Sequence, residues 1–86
     1  MSHLVEYEAA EYAAENSPCR AAYLRAARAA LEVHDHKNAN QLRWLWADRA
    51  EYWAEKAGLG NYANFAFGHG RAPVVDTLRS LLEGVR

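Results

Sequence analysis

Cysteine, isoleucine and long apolar runs are scarce or absent in this chain of 86 residues. The only cysteine is Cys19, which excludes an intrachain disulfide, fits a reducing compartment and leaves zinc without a set of thiolate ligands. The apolar runs are far shorter than the roughly 18 residues that a transmembrane helix needs. The opening MSHLVEYEAAEY has neither the basic start nor the apolar centre of a secretory signal peptide. We therefore expect a cytoplasmic protein with no membrane partner.

Basic residues are missing from the first part of the chain. Residues 1–16 contain four glutamates and no lysine or arginine, a charge of −4, whereas the rest has 10 basic and 7 acidic residues, a charge of +3. A nucleic-acid-binding domain commonly shows a basic footprint, and a net charge of −1 does not provide one. The two oppositely charged segments are expected to pair inside one domain.

Alanine is the most abundant residue, with 18 copies, and arginine outnumbers lysine 8 to 2. Alanine and arginine have GC-rich codons, so the composition indicates a high-GC bacterium or one of its phages as the source. Hydrophobic residues make up 51% of the chain, enough for a core, and the length predicts a single domain over residues 1–86.

Helical periodicity predicts a hairpin of two helices at the start of the chain. The first helix runs from about Ser2 to Glu15, and its predicted apolar face comprises Val5, Ala9, Tyr12 and Ala13. The second runs from Pro18 to about Val33, with Ser17 as its N-cap and proline in the first position, where the missing N–H costs nothing. Its apolar side comprises Tyr23, Leu24, Ala27, Ala30 and Leu31.

The polar segment 34–40, HDHKNAN, is predicted to be a loop. The alternative is one continuous rod through this segment, but the heptad positions counted from Leu24 turn polar in its middle. A third helix runs from about Asn40 to Ala57, with Leu42, Leu45, Trp46, Arg49, Ala50, Trp53 and Ala57 on one face. Gly58 is expected to end it in the left-handed conformation, with Leu59 folding back in a Schellman ending.

The fourth helix is predicted to start at Pro73 and to run almost to the C-terminus, with the apolar stripe Val74, Val75, Leu78, Leu81, Leu82 and Val85. Before it lies the connector 58–71, GLGNYANFAFGHGR, in which a short turn capped by Asn61 is favoured over a lone strand. The predicted fold class is all-α: a compact bundle of about four helices, two long central ones and a short first and last, with a Gly/aromatic loop before the last.

His34-Asp35-His36 is the motif that most invites an enzymatic interpretation. Imidazoles two residues apart can share a metal ion in a loop, but a site needs three or four ligands, so His3 or His69 would have to converge. The His-Asp pair of phosphohydrolases would need still more ligands on several helices. A solvated polar turn is the simpler interpretation.

No nucleophile has a visible base beside it. Cys19 lies in the predicted first turn of the second helix, where helix ends can activate thiols, but a small buried filler is the favoured interpretation. The GHGR segment at 68–71 lacks the strand and the lysine of a phosphate-binding loop. We therefore predict no catalytic residue, no metal and no cofactor.

Aromatic side chains are the most unusual feature. Trp46 and Trp53 lie one heptad apart and are predicted to fill the core, because an alanine-rich bundle has little other bulk. Trp44 lies about 200° around the helix from Trp46, so it is either exposed or packed against a second neighbour of a central third helix. If it is exposed, Arg43, Trp44 and Tyr52 form a patch of the residue types enriched at binding hot spots.

These observations lead to one main functional hypothesis and two alternatives. The main one is a non-enzymatic interaction module, an accessory protein of a phage or mobile element, that binds a host protein or a second copy of itself. Its predicted partner-binding residues are Arg43, Trp44, Tyr52, Tyr62, Phe65, Phe67, His69 and Arg71. One alternative binds nucleic acid through the aromatic and arginine residues of 61–71 by stacking and phosphate contacts. The other is a small metal-dependent hydrolase that uses His34 and His36.

Overall fold

The computed structural model describes residues 2–37, 43–59 and 72–84, and these residues form four α-helices. The helices are α1, His3–Asn16; α2, Arg20–Asp35; α3, Arg43–Lys56; and α4, Ala72–Gly84. No described residue belongs to a strand, so the predicted all-α bundle is confirmed. None of these four helices combines the length and the apolar composition that a bilayer span requires.

α2 is the helix on which the others assemble. It packs against α1, α3 and α4, and Ala26, Ala27 and Ala30 along it are fully buried. Methyl side chains let helix backbones approach closely, so the alanine-rich composition becomes tight helix packing. His3 at the start of α1 stacks on His36 at the end of α2 with ring centroids 3.9 Å apart, so α1 and α2 form the predicted antiparallel hairpin.

The buried face of α1 differs from the predicted one. Its buried residues are Tyr7, Ala10 and Ala14, whereas Tyr12 is 69% exposed and Val5 is 50% exposed. Apolar residues lie on several sides of α1, so helical spacing alone fits two alternative buried faces about equally well. Tyr7 decides between them, because its ring reaches toward α3 and fills space that alanine cannot.

The junction between α1 and α2 also corrects the prediction. Ser17 is the C-cap of α1, with its N–H donating to the Ala13 carbonyl, and α2 begins at Arg20 with Cys19 as its N-cap. The predicted N-cap at Ser17 is therefore wrong by two residues. Cys19 is exposed and not a buried filler, because it lies in the junction and outside the packed faces.

The predicted loop 34–40 is wrong at its start, because His34 and Asp35 complete α2 and His36 is its C-cap. The His34 ring is buried on the packed side of the helix, which favours continuing the helix this far. The continuous rod is excluded, since α2 and α3 pack against each other and Arg43 Nε donates to the His34 carbonyl at 3.1 Å. Residues 38–42, where the third helix was predicted to begin, lie outside the described residues.

The end of α3 confirms the prediction. Gly58 has a φ of +84°, the left-handed conformation that glycine adopts without steric cost. The Gly58 N–H donates to the Glu55 carbonyl at 3.0 Å and the Leu59 N–H donates to the Ala54 carbonyl at 3.1 Å. These two bonds are the pair that defines a Schellman ending, and Leu59 folds back onto the core.

Aromatic rings fill the core, as predicted for Trp46 and Trp53, which are 7% and 5% exposed. The Tyr7 ring meets Trp46 edge to face at 5.0 Å, and Tyr23 stacks on Trp53 at 5.9 Å. Trp53 Nε1 donates to the Tyr7 hydroxyl at 2.9 Å. The rings therefore join α1 to α3 across the bundle and supply the bulk that the alanines lack.

α4 docks through Val75, Leu78 and Leu82, which are buried members of the predicted stripe. Two polar contacts to α2 fix its position. The Arg79 guanidinium donates to both carboxylate oxygens of Asp35, at 2.7 and 2.9 Å. Arg28 of α2 donates to the Leu82 carbonyl at 2.8 Å.

The Asp35–Arg79 pair makes the stability of the fold depend on pH in the acid range. The Arg79 guanidinium lowers the pKa of Asp35 from 3.8 to about 2, so this stabilisation is complete above about pH 4 and is lost as the pH falls through about 2. The Arg79 side chain is 41% exposed, so solvent screening limits the contribution of the pair to the free energy of unfolding to about 0.2–1 kcal/mol.

Arg79→Gln should lower the free energy of unfolding by that amount at neutral pH and make it depend less on pH in the acid range, measured by urea denaturation across a pH series. An acid profile identical to that of the exposed control Arg25→Gln would contradict the pairing.

Candidate partner-binding surface

Two large aromatic side chains of α3 face solvent. Trp44 is 54% exposed and Tyr52 is 52% exposed, although α3 packs against both α2 and α4. The structure thus combines the two alternatives drawn from the sequence: α3 has two neighbours, and Trp44 is covered by neither. Trp44 and Tyr52 are separated by eight residues, which places them about 80° apart on one side of the helix, two turns along.

The Tyr52 ring is held by its neighbours. It meets Trp53 edge to face at 4.9 Å, and Lys56 Nζ lies 5.2 Å from its centroid. The ring is therefore anchored on one side and open on the other. A side chain that is already ordered loses less conformational freedom when a partner binds it.

A groove between α1 and α3 lies beside Tyr52. Its volume is about 380 Å³, and its lining residues are Tyr7, Glu11, Glu15, Asp48, Arg49, Tyr52 and Trp53. Three of these residues are carboxylic acids and one is an arginine, so the groove has an excess of negative charge. Buried Tyr7 and Trp53 close its inner side.

Polar contacts organise this inner side. The Tyr7 hydroxyl donates to Glu11 Oε2 at 2.9 Å and accepts the indole N–H of Trp53. Burial raises the pKa of Tyr7 to about 12, and the Trp53 hydrogen bond opposes that shift, so the hydroxyl keeps its proton and both bonds at neutral pH. The Arg49 guanidinium lies over the Trp46 ring, 4.7 Å from its centroid, so the basic residue of the groove contacts the aromatic core.

Of the remaining predicted partner-binding residues, only Arg43 lies in a described part of the chain. Arg43 is exposed, but its bond to the His34 carbonyl also fastens α3 to α2. Five predicted residues lie outside the described parts of the chain: Tyr62, Phe65, Phe67, His69 and Arg71. Trp44, Tyr52 and the groove beside Tyr52 together make up the α3 surface.

The contribution of α1 to the α3 surface was missed by reasoning from sequence. Glu11 and Glu15 line the groove, and both come from the acidic first segment. The available signal is the charge of −4 over residues 1–16, which by itself predicts only pairing with the basic part of the chain. Only the buried position of Tyr7 shows which glutamates of α1 turn toward α3.

The predicted His34-Asp35-His36 motif does not act as a unit. His34 is buried, with Nδ1 3.1 Å from Asp35 Oδ1, whereas His36 is exposed and stacks on His3. Positions i and i+2 point about 200° apart on a helix, so the helical end of α2 separates the two imidazoles. His3, which the sequence left open as a converging histidine, does approach His36.

Comparison of the chain with models of known protein families, with curated proteins and with solved structures finds no match. Function is therefore inferred from the geometry and charge of the surfaces of this protein.

Proposed function

We propose that this protein is a non-catalytic helical module that binds another protein through the α3 surface. The observation that carries the proposal is the joint exposure of Trp44 and Tyr52 on one side of a well-packed helix. Tryptophan and tyrosine are over-represented among the residues that contribute most to protein–protein affinity. Covering their rings on association removes apolar surface from water, at about 25 cal/mol for each Å².

The residues that line the groove indicate which side chains the partner is expected to present. Carboxylates of Glu11, Glu15 and Asp48 line it, so it attracts lysine and arginine side chains. Such side chains can also lay their apolar stems and cationic heads against an aromatic ring such as Tyr52. The expected partner is therefore a protein segment with basic and apolar side chains together, whereas a nucleic acid would bring like charge to this surface.

A catalytic role is not part of the proposal. The motif that suggested hydrolase chemistry is divided between a buried His34 and an exposed His36. The α3 surface offers aromatic rings and carboxylates, which suit recognition.

Trp44→Ala should leave the fold intact and weaken partner binding. The side chain is 54% exposed, so the free energy of unfolding should change by less than about 1 kcal/mol. Loss of a hot-spot side chain should weaken binding by about 2 kcal/mol, roughly 30-fold. Capture from a lysate of the source cell identifies the partner by mass spectrometry, and calorimetry with purified proteins then measures the affinities of wild type, Trp44→Ala and Tyr52→Ala.

The matched control is Leu81→Ala, which shortens an exposed apolar side chain of α4 and should bind like wild type. The affinity of the wild-type complex should fall with added salt, because screening weakens attraction between charged groups. Equal affinities for wild type, Trp44→Ala and Tyr52→Ala would overturn the proposal. A dimer seen by light scattering that Trp44→Ala dissociates would instead identify a second copy as the partner.

A further inference from the structure

Three side chains that commonly bind metal ions meet where the start of α1 contacts the end of α2. One ligand atom each of His3, Glu32 and His36 lies within 4.8 Å of the other two, and His3 Nδ1 is 3.9 Å from Glu32 Oε2. Ligand atoms around a tetrahedral ion are roughly 3.3–3.6 Å apart, given metal–ligand distances of about 2.0–2.2 Å. The three atoms are therefore within about 1.5 Å of ligand spacing, and side-chain rotation is needed to bring them together.

The two imidazoles have nitrogens ready to coordinate. His3 Nδ1 is buried and has no hydrogen-bond partner among the described residues, which is a costly state for a polar atom unless something binds it. His36 Nδ1 lies 2.8 Å from the backbone carbonyl of Glu32. A carbonyl only accepts, so Nδ1 carries a proton, and the neutral form of this ring has its lone pair on Nε2. Histidines that coordinate metals commonly donate their other ring N–H in this way.

The helices place the three groups for chelation. Glu32 and His36 are four residues apart on α2, so they project from the same side of the helix. His3 comes from the other helix of the hairpin, α1. His3 and His36 also line a cavity of about 220 Å³, together with Lys37. Coordination requires the two stacked rings to turn, and Glu32, with a side chain 57% exposed, is free to follow.

We propose that His3, Glu32 and His36 bind one divalent transition-metal ion of the zinc type, with solvent in the fourth position. Two imidazoles and one carboxylate suit zinc, cobalt or nickel better than magnesium or calcium, which prefer oxygen ligands alone. The ion joins α1 to α2, so its binding stabilises the fold. This site is separate from the α3 surface, and the proposal does not rest on the proposed function.

The test is a zinc titration of the full chain, produced without a histidine tag, by calorimetry and thermal unfolding. One zinc ion for each chain is expected, with a Tm rise on the order of 10 °C when free zinc is 100-fold above Kd. Magnesium should produce no shift. Cobalt should give the intense visible absorption of a tetrahedral site, which reports coordination directly and does not depend on stability.

His3→Gln and His36→Gln should each weaken zinc binding about tenfold or more. The matched control is Glu8→Gln, which changes an exposed glutamate of α1 that is not part of the cluster, and it should bind zinc like wild type. If His3→Gln fails to fold, Glu32→Gln replaces it, because the exposed Glu32 side chain tolerates substitution. No one-to-one binding by wild type, or a loss in Glu8→Gln as large as in His36→Gln, would overturn the assignment.

Discussion

Trp53→Ala should lower the free energy of unfolding by roughly 3–5 kcal/mol. The Trp53 side chain is 5% exposed, stacks near Tyr23 of α2 and donates its indole N–H to Tyr7 of α1. Truncation therefore leaves a cavity where three helices meet and removes a hydrogen bond between α1 and α3. A domain of this length has a total stability of roughly 4–13 kcal/mol, so the variant loses a large share of it.

The measurement is urea denaturation at low temperature, monitored by far-UV circular dichroism. At low temperature enough of the variant is folded without urea to define the native baseline. Trp44→Ala is the matched control, because it is the same substitution on the same helix at a side chain 54% exposed. The control should lose less than about 1 kcal/mol. A loss below about 1 kcal/mol for Trp53→Ala would show that the buried face of α3 is assigned wrongly.

Leu78→Ala should cost roughly 2–5 kcal/mol. Leu78 has no exposed surface, and Tyr7 and Leu78 are the largest side chains buried to this degree among the described residues. It lies in the middle of the apolar stripe by which α4 packs against α2 and α3. Its removal leaves Val75 and Leu82 as the buried apolar side chains of this helix among those that the structure describes, so the variant weakens the docking of the whole element.

The control for Leu78→Ala is Leu81→Ala, three residues along the same helix at a side chain 38% exposed. Its expected loss is smaller, about 1 kcal/mol, because over a third of the side chain is already in contact with water and its removal leaves no enclosed cavity. Thermal or urea unfolding of the two variants gives the comparison. Equal losses would mean that α4 does not dock through the face that contains Leu78.

The two proposed sites differ in how far the sequence anticipated them. The angle between Trp44 and Trp46 left open whether Trp44 is exposed or packed against a second neighbour of α3, and the structure shows that Trp44 and Tyr52 are both exposed. The acidic groove beside them was not predicted, because it needs two helices separated by α2. The histidine motif pointed to His34 and His36, whereas the structure brings His36 together with His3 and Glu32.

The sequence by itself determined features that depend on neighbours along the chain. These include the helical class, the glycine-terminated end of α3, and the shared buried face of Trp46 and Trp53, since backbone preference and helical spacing are local properties. Only the tertiary structure decided which side of α1 is buried, that Trp44 is uncovered, and that His3 meets His36. Those outcomes depend on which distant helix occupies the adjacent space, and a side chain is buried or exposed according to that neighbour.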